Sequence, residues 1–191
     1  MTDRFFRHLN QFIDCSEADF TELLPYFTRH RLAKKEQLMQ AGRICDHHYF
    51  VLKGCLHMYY INEKGVEKTV KLALENWWVT DYLAFRQHQP TDFYIRAVEP
   101  SHILAISFEQ QAALFAKFPV LESYFRQIYE VGYGASIMRI KFLFDFSKEE
   151  MFLRFEEQFP DFVQRVPQYL LASYLGLTPE YLSEIRKKKR L

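Results

Sequence analysis

The most evident chemistry in the sequence is a run of five basic residues, Arg186 to Arg190, near its C-terminal end. The formal net charge of the whole chain is only +1, and the segment just before this region is acidic, with Glu149, Glu150, Glu156 and Glu157. A local basic patch attracts phosphates even when the rest of the chain is nearly neutral. The basic run therefore favours contact with a nucleic acid.

Metal-binding side chains give a weaker signal. The histidines that a metal-dependent enzyme on a β-barrel could use are His47, His48, His57 and His102. His47 and His48 are adjacent, so they would point to opposite faces of a strand. The cysteines are scattered, without metal-ligand spacing and without the even count of a disulfide framework: Cys15, Cys45 and Cys55. We therefore expect no metal, no cofactor and no enzymatic activity.

The elements that would position the basic run are two short helices in residues 167–186. Leucines and a tyrosine recur there at helical spacing: Leu170, Leu171, Tyr174 and Leu175. Gly176 stands where the backbone must reverse, and Thr178 before Pro179 is typical of a helix N-cap. Leu182 and Ile185 would then face the first helix. This spacing predicts a helix-turn-helix, although an ordinary helical hairpin with a basic end has the same pattern.

Upstream segments predict a helical start followed by a β-rich domain. Residues 1 to about 28 show helical periodicity, with a second start capped by Ser16 and Asp19. From His30 to about Ser107, short β-branched and aromatic runs alternate with turn residues at roughly the 8–12-residue spacing of a barrel or sandwich. We expect a β-roll, with Asn62 to Gly65 as a hairpin turn. No signal peptide and no apolar run near the ~20 residues of a membrane span is apparent, so a cytoplasmic location is expected.

A short helix over 108–118 and a long one from Pro119 to about Phe146 are predicted next. The long helix carries a stripe of apolar residues in steps of three and four: Leu121, Tyr124, Ile128, Val131, Ala135, Met138 and Phe142. A second apolar face is formed by Phe125, Tyr129 and Tyr133. Because one face can pack on the roll, the other indicates a homodimer; the alternative is that both faces pack within one chain.

The order of helices, β-roll, long helix and helix-turn-helix resembles the CRP/FNR family of bacterial transcription regulators, the cyclic-AMP receptor and fumarate–nitrate regulator type. The resemblance covers nearly the whole chain. It rests on Gly42, Tyr49 to Gly54, Asn62 to Gly65, Arg96-Ala97, Phe159-Pro160, Arg165 to Pro167, Leu171 to Pro179, Leu182-Ser183 and Ile185-Arg186. It implies an α+β fold with a sensor roll over 1–118, a dimerisation helix over 119–146 and a DNA-binding unit over 147–191. The partners implied are double-stranded DNA, a second copy, a small-molecule effector and RNA polymerase.

Departures from the family pattern fall in the ligand loop. Cyclic-nucleotide binders of this family carry a Gly-Glu pair for the ribose and an Arg-Ser or Arg-Thr pair for the phosphate. Here Thr80-Asp81 and Thr91-Asp92 stand at those places, so an anion replaces the bidentate cation. Arg86 lies in the same loop and could supply a cation by another route. We therefore expect that the roll does not bind cyclic AMP. Four aromatic residues would either fill its pocket or make it apolar enough for another ligand: Trp77, Trp78, Tyr82 and Phe85. Cys15 stands alone, so the family's iron–sulfur cluster is not expected either.

The DNA-binding end departs from the pattern as well. Because the given sequence continues only a few residues past the second helix, we expect no β-wing of the kind that many members carry. The resemblance assigns DNA contacts to Thr178, Glu180, Tyr181, Ser183, Glu184, Arg186, Lys187 and Lys188. Glu180 would accept from a cytosine amino group, whereas Glu184 on the outward face lowers affinity unless it reads a cytosine too or pairs with a cation. The alternative is an effector-binding or scaffold module that has lost DNA binding.

Overall fold

The structure is a computed structural model that describes residues 2–189. Of the basic run, Arg190 and the side chain of Lys189 lie outside the described residues. The chain starts with helices α1 (Asp3–Leu9) and α2 (Glu17–Leu23) and a 3-10 turn at Leu24–Tyr26. Ser16 accepts the Asp19 N–H at 3.1 Å and donates its own N–H to the Asp19 carboxylate, so the predicted capped start of α2 is confirmed.

Eight strands in the described residues form two antiparallel four-stranded sheets. Their bounds are Thr28–Leu32 (β1), Gln37–Met39 (β2), His47–Lys53 (β3), Leu56–Ile61 (β4), Glu67–Ala73 (β5), Trp78–Val79 (β6), Tyr94–Ala97 (β7) and Ser101–Ser107 (β8). The strand orders are β1-β8-β3-β6 and β2-β7-β4-β5. The Asn62 side chain accepts the N–H groups of Lys64 and Val66 at 3.1 and 3.0 Å, which closes the predicted turn between β4 and β5.

The two faces of the first sheet have different environments, because successive side chains of a strand point to opposite faces. Along β3, Tyr49 and Val51 point into the roll, where they join an apolar cluster from both sheets. Phe50 and Leu52 point outward into a second cluster. That cluster includes Phe5 and Leu9 from the N-terminal helices and Leu121, Tyr124 and Phe125 from the long helix. The outer face of this sheet is therefore as buried as the roll interior.

The remaining helices are α3 (Tyr82–Gln87), α4 (Phe108–Lys117), α5 (Val120–Asp145), α6 (Lys148–Gln158), α7 (Pro160–Arg165), α8 (Gln168–Leu175) and α9 (Pro179–Lys189). Ser147 and Glu150 form a capping box at the start of α6. α7 was not predicted: its six residues are too short to show a periodicity. None of the helices in the described part of the chain is long and apolar enough to cross a membrane.

The C-terminal helices share an apolar cluster with the roll. Cys55, Leu72, Leu74 and Val98 of the roll pack against side chains of α6 to α9. This contact covers the outer face of the second sheet. The α+β architecture is therefore confirmed, whereas the domain boundaries at 118 and 146 stay a prediction.

Candidate functional site

The predicted ligand loop is braced by hydrogen bonds among its own residues. The Thr80 hydroxyl donates to the His47 carbonyl at 2.8 Å. Asp81 caps α3 by accepting the Ala84 N–H at 3.2 Å, and its second oxygen accepts the Thr91 hydroxyl at 2.8 Å. Thr80 and Thr91 are buried. Both oxygens of Asp81 therefore have partners within the loop, and this carboxylate holds the loop's shape.

Arg86 and Asp92 have a different environment from these threonines. Both side chains are exposed, and neither forms an ion pair with another described residue. The structure therefore places the five predicted pocket residues in two groups, a buried hydrogen-bonded brace and two solvated charges. The Thr91 N–H donates to the backbone carbonyl of Arg43 at 3.0 Å, but within residues 2–189 no arginine side chain is hydrogen-bonded to Thr80 or Thr91.

The expectation that four aromatic residues fill or line the pocket is corrected for three of them. Only Phe85 belongs to the interior cluster of the roll. Trp78 points to the outer face, and Trp77 packs edge-on against Phe162 of α7 with ring centroids 5.7 Å apart. Tyr82 lies outside the interior cluster, against His48. The alternation along β6 sends neighbouring side chains to opposite faces, so aliphatic side chains do most of the filling.

The histidines are dispersed. His47 contacts the Asp46 carboxylate at 2.6 Å, while His48 is buried on the opposite face of β3 among aromatic rings. His57 contacts the Thr69 hydroxyl at 2.9 Å. Among residues 2–189, no group of three or more His, Cys, Asp or Glu side chains is arranged to hold a metal ion.

Helices α8 and α9 have the predicted paired geometry. Gly176 ends α8 in the left-handed conformation, with φ +69°, which favours glycine because it has no Cβ. The Thr178 hydroxyl accepts the Tyr181 N–H at 3.2 Å and so caps α9. Leu182 and Ile185 are buried against α8. Pro167 differs from the expectation: it precedes α8 as its N-cap, with ψ 138°.

The side of α9 away from α8 carries most of the predicted DNA contacts. Its exposed side chains are Thr178, Glu180, Glu184, Lys187 and Lys188. The Lys188 ammonium lies 3.9 Å from the Glu149 carboxylate, a surface contact worth at most about 1 kcal/mol. This side of α9 therefore presents both acidic and basic groups to solvent.

The remaining predicted contacts are half-buried, which corrects the expectation that they face freely outward. Tyr181 packs against the apolar cluster beneath the helix pair. The Arg186 guanidinium donates to the Val163 carbonyl at 3.3 Å and lies 5.7 Å from the ring centroid of Phe152. Ser183 is also half-buried. Arg186 is thus partly engaged within its own chain.

The apolar stripe of α5 divides into a buried and an exposed half. Leu121 and Tyr124 are 1% and 0% exposed and belong to the outer-face cluster of the roll, so their assignment to a dimer contact was wrong. Ile128 packs at the edge of the same cluster. Beyond it, Val131 is 63% exposed, and Ala135 and Met138 are exposed too, with Phe142 half-buried. Other large apolar residues exposed on this half are Tyr133, Ile137, Ile140, Leu143 and Phe144.

One arginine of α5 joins three parts of the chain. The Arg139 guanidinium donates to the carbonyl of Val70 in β5 at 3.0 Å and to that of Tyr174 in α8 at 2.6 Å. It also lies 4.2 Å from the ring centroid of Tyr174. No sequence pattern indicates this role, because β5, α5 and α8 are far apart along the chain.

Edge strand β5 and its neighbours supply two further contacts to the C-terminal helices. The Ser173 hydroxyl of α8 accepts the Thr69 N–H at 2.9 Å, which satisfies a backbone group that the sheet leaves unpaired. Arg165 at the end of α7 binds the Glu75 carboxylate at 2.8 Å and also pairs with Glu99. The helix pair is therefore held against the roll by side chains from both units.

Comparison with known proteins identifies the architecture of the roll. A profile of the cyclic nucleotide-binding domain matches residues 29–118. The roll has the cyclic nucleotide-binding fold. No curated protein sequence matches the chain.

The matches to solved structures with this fold include the C-terminal helices as well as the roll. FixK2 from Bradyrhizobium japonicum superposes with a TM-score of 0.69 at 12% identity, over 85% of this chain and 83% of that one. The c-di-GMP responsive global regulator CLP from Xanthomonas campestris gives 0.68 at 17%, over 91% and 92%. The catabolite activator protein from Thermus thermophilus gives 0.60 at 18%, over 95% and 85%. At these identities the likeness establishes the fold.

The braced loop leads into α3, which lies beside α5. In this chain the roll interior next to that loop is packed by Tyr49, Val51, Met58 and Phe85. The contacts of α3 with α5 run through aromatic rings, with Tyr82 and Tyr129 at 5.3 Å between centroids.

Proposed function

We propose that this chain is a homodimeric, sequence-specific DNA-binding transcription regulator of the CRP/FNR type, acting in the cytoplasm, whose roll does not respond to cyclic AMP. The observation that carries the proposal is the α8–α9 pair. Leu182 and Ile185 hold α9 on α8, while the opposite side of α9 remains exposed. A helix held in this way can enter a major groove with its free side toward the bases.

The exposed side of α9 divides into base-reading and phosphate-binding positions. Glu180 and Glu184 lie one turn apart and are suited to accept from cytosine amino groups. Lys187 and Lys188 follow and supply positive charge for phosphates, which positions the helix without reading sequence. Thr178 at the N-cap lies at the same end as Glu180.

A second copy of the chain is the partner we propose for the exposed half of α5. Val131, Met138 and Phe142 continue the spacing of three and four that the buried half begins. Burial of one such side chain contributes about 1.5–3 kcal/mol, so a continuous stripe favours pairing over exposure. Two parallel copies of α5 would carry two α9 helices in symmetric positions, as a palindromic operator requires. An effector and RNA polymerase are the further partners that the family resemblance implies.

Loss of cyclic AMP binding is supported by the braced loop. Both Asp81 oxygens already accept hydrogen bonds within the loop, so a ribose hydroxyl would have to share this carboxylate with Thr91 and the N-cap of α3. The positions expected to bind the phosphate are the buried Thr91 and the exposed anion Asp92. We expect no heat of binding when up to 1 mM cyclic AMP is titrated into the protein, and saturable binding would contradict this part of the proposal.

DNA binding is tested by fluorescence anisotropy with duplexes selected from a random pool. Each phosphate contact contributes about 0.9 to the slope of log affinity against log salt, so Lys187→Ala with Lys188→Ala on both subunits should lower it by about 3.6. The matched control is Lys64→Ala with Lys68→Ala, two exposed lysines of the β4–β5 hairpin. Equal slopes for the α9 variant and the unmodified chain would refute the DNA surface.

Dimerisation is tested by sedimentation equilibrium. Val131→Glu with Met138→Glu should give a monomer with unchanged helical content, because both side chains project from the surface of a single chain. Ile61→Glu is the control, since Ile61 is an exposed apolar residue at the end of β4 and outside α5. A dimer that survives the α5 substitutions would show that this stripe is not the interface.

A binding or scaffold module without DNA affinity is the second candidate. It is favoured by Arg186, whose guanidinium contacts Val163 and Phe152 of its own chain, and by the exposed anion at Glu184. A gel shift with random duplex over a salt titration separates the two candidates. A DNA-binding protein shows non-specific binding that weakens steeply with salt, whereas the scaffold module shows none.

A further inference from the structure

A cluster of unpaired polar groups lies outside the roll interior, on the face of the β1-β8-β3-β6 sheet that α4 and α5 cover. Its centre is His48 of β3, which is 0% exposed. Neither ring nitrogen of His48 has a hydrogen-bond partner among the described residues. A buried polar group left unpaired costs about 1–3 kcal/mol, so packing alone does not explain a histidine here.

Five aromatic rings surround His48. The nearest is Trp78, with ring centroids 4.4 Å apart. Tyr82 meets His48 edge-on at 5.3 Å, and Tyr129 of α5 stacks nearly parallel to it at 6.1 Å with an interplanar angle of 18°. Phe85 and Phe125 complete the cage at 5.8 and 5.7 Å. The imidazole of His48 is therefore enclosed by aromatic rings.

A second unpaired group adjoins the cage. Gln111 of α4 is buried, and within residues 2–189 its side-chain nitrogen has no hydrogen-bond partner. The same side chain lies beside the phenol of Tyr129, whose pKa burial raises to about 12. His48 and Gln111 therefore both meet Tyr129, one at its ring and the other at its hydroxyl.

Tyr129 also forms a wall of an open groove between α4 and α5. The groove measures ≈ 480 Å³ and its apolar lining includes Phe115, Phe125, Tyr129 and Tyr133. The charges nearest its mouth include Arg126 and Glu130, which pair with each other at 2.7 Å. Tyr129 is 39% exposed, so rotation of this one side chain would connect the groove with His48 and Gln111.

We propose that this groove and the polar groups behind Tyr129 bind a planar, uncharged heteroaromatic molecule that presents an N–H donor beside a carbonyl acceptor. Aromatic walls favour a flat ring. A neutral imidazole offers one donor and one acceptor, and a primary amide offers two donors. A charge buried here without a counter-ion would be costly, which disfavours a charged ligand. A cation is disfavoured further by Lys71, whose ammonium lies 5.2 Å from the Tyr82 ring centroid.

The probe for this site is 2-quinolone, a flat bicyclic lactam whose N–H adjoins its carbonyl. We expect saturable binding of one molecule per chain by titration calorimetry, with a change in the imidazole signals of His48 in spectra of histidine-labelled protein. N-methyl-2-quinolone keeps the rings and the carbonyl but lacks the donor. It should bind at least tenfold more weakly, and equal affinities would overturn the assigned hydrogen bonds.

Three variants separate the site from general packing. His48→Leu keeps the volume but removes both nitrogens, so the chain stays folded and affinity for 2-quinolone falls at least tenfold. Tyr129→Ala removes the cover and leaves affinity equal or higher. Tyr60→Ala is the control: this exposed tyrosine of β4 lies in the other sheet and does not line the groove, so affinity should stay within twofold. No binding at 1 mM by both the unmodified chain and Tyr129→Ala, or unchanged affinity in His48→Leu, overturns the proposal. Because the assay contains no DNA, its result is independent of the proposed regulator role.

Discussion

Replacing Arg139 by alanine should loosen the C-terminal helices from the roll. This guanidinium is the side chain that links α5 to the carbonyls of Val70 in β5 and Tyr174 in α8. Alanine keeps the helix intact, because it has the highest helix propensity. The substitution therefore removes the link and leaves the two units themselves unchanged.

The magnitude follows from the interactions that alanine cannot make. A hydrogen bond to a charged donor contributes about 1.5–3 kcal/mol, and the stacking on Tyr174 adds about 0.5–1 kcal/mol at a partly exposed site. Arg139 is exposed over part of its surface, so water takes over some of the hydrogen bonding to both carbonyls in the variant. We expect the free energy of unfolding to fall by about 2–3 kcal/mol.

Urea denaturation at fixed protein concentration measures this loss, and hydrogen exchange locates it. Backbone amides of α8 and β5 should exchange faster, while those of β3 and β8 in the other sheet stay protected. Arg126→Ala is the matched control on the same helix. Its surface ion pair with Glu130 should contribute less than about 1 kcal/mol.

A change below about 0.5 kcal/mol for Arg139→Ala, together with unchanged exchange in α8, would refute the reasoning. It would mean that the apolar contact between the roll and α6 to α9 holds the helices without this arginine. Faster exchange throughout the chain would also contradict it, because it would place Arg139 in the common core.

Three further predictions concern single residues. Burial alone would raise the pKa of Glu75, but hydrogen bonds, led by the one from Arg165, lower it from 4.5 to about 2. Because this folded value lies below the unfolded one, the Glu75 carboxylate stabilises the fold above pH 4.5. That contribution is lost as the pH falls toward 2. Glu75→Gln should therefore flatten the acid side of the stability–pH curve, and a parallel curve would contradict the shift. Gly176→Ala should lower the free energy of unfolding by about 1 kcal/mol through backbone strain at φ +69°. Gly132→Ala inside α5, where an added Cβ meets nothing, should raise it by up to about 1 kcal/mol. Thermal unfolding measures both changes, and a loss of stability at Gly132 would instead indicate that a second chain packs there. Leu182→Ala leaves a cavity between α8 and α9 and should cost about 2–5 kcal/mol; DNA binding retained at full strength with that loss of stability would show that the helix pair is not the reading surface.

Local chemistry made several elements predictable from the sequence. The capping box at Ser16, the Asn62 turn and the Gly176 reversal all form as expected. Each depends on contacts within about five residues, so the residue types alone decide the outcome. The β-roll followed in the same way from short runs between turn residues, although the six-residue α7 was missed.

The long helix shows where periodicity stops being informative. Leu121 and Val131 occupy equivalent places in one apolar stripe, yet the first is buried within the chain and the second is exposed. The difference is set by how far the outer face of the sheet extends along α5. The sequence pattern is the same on both sides of that limit.

Residue types and their spacing were enough to predict the order of elements and the apolar faces. Which polar groups meet depended on the folded chain. Asp81 is occupied by Thr91, Arg139 joins β5 to α8, and His48 is buried beneath Tyr129 with no partner among the described residues. These contacts join residues from about 10 to 80 positions apart, and their geometry depends on the packing of whole sheets and helices, which no local pattern encodes.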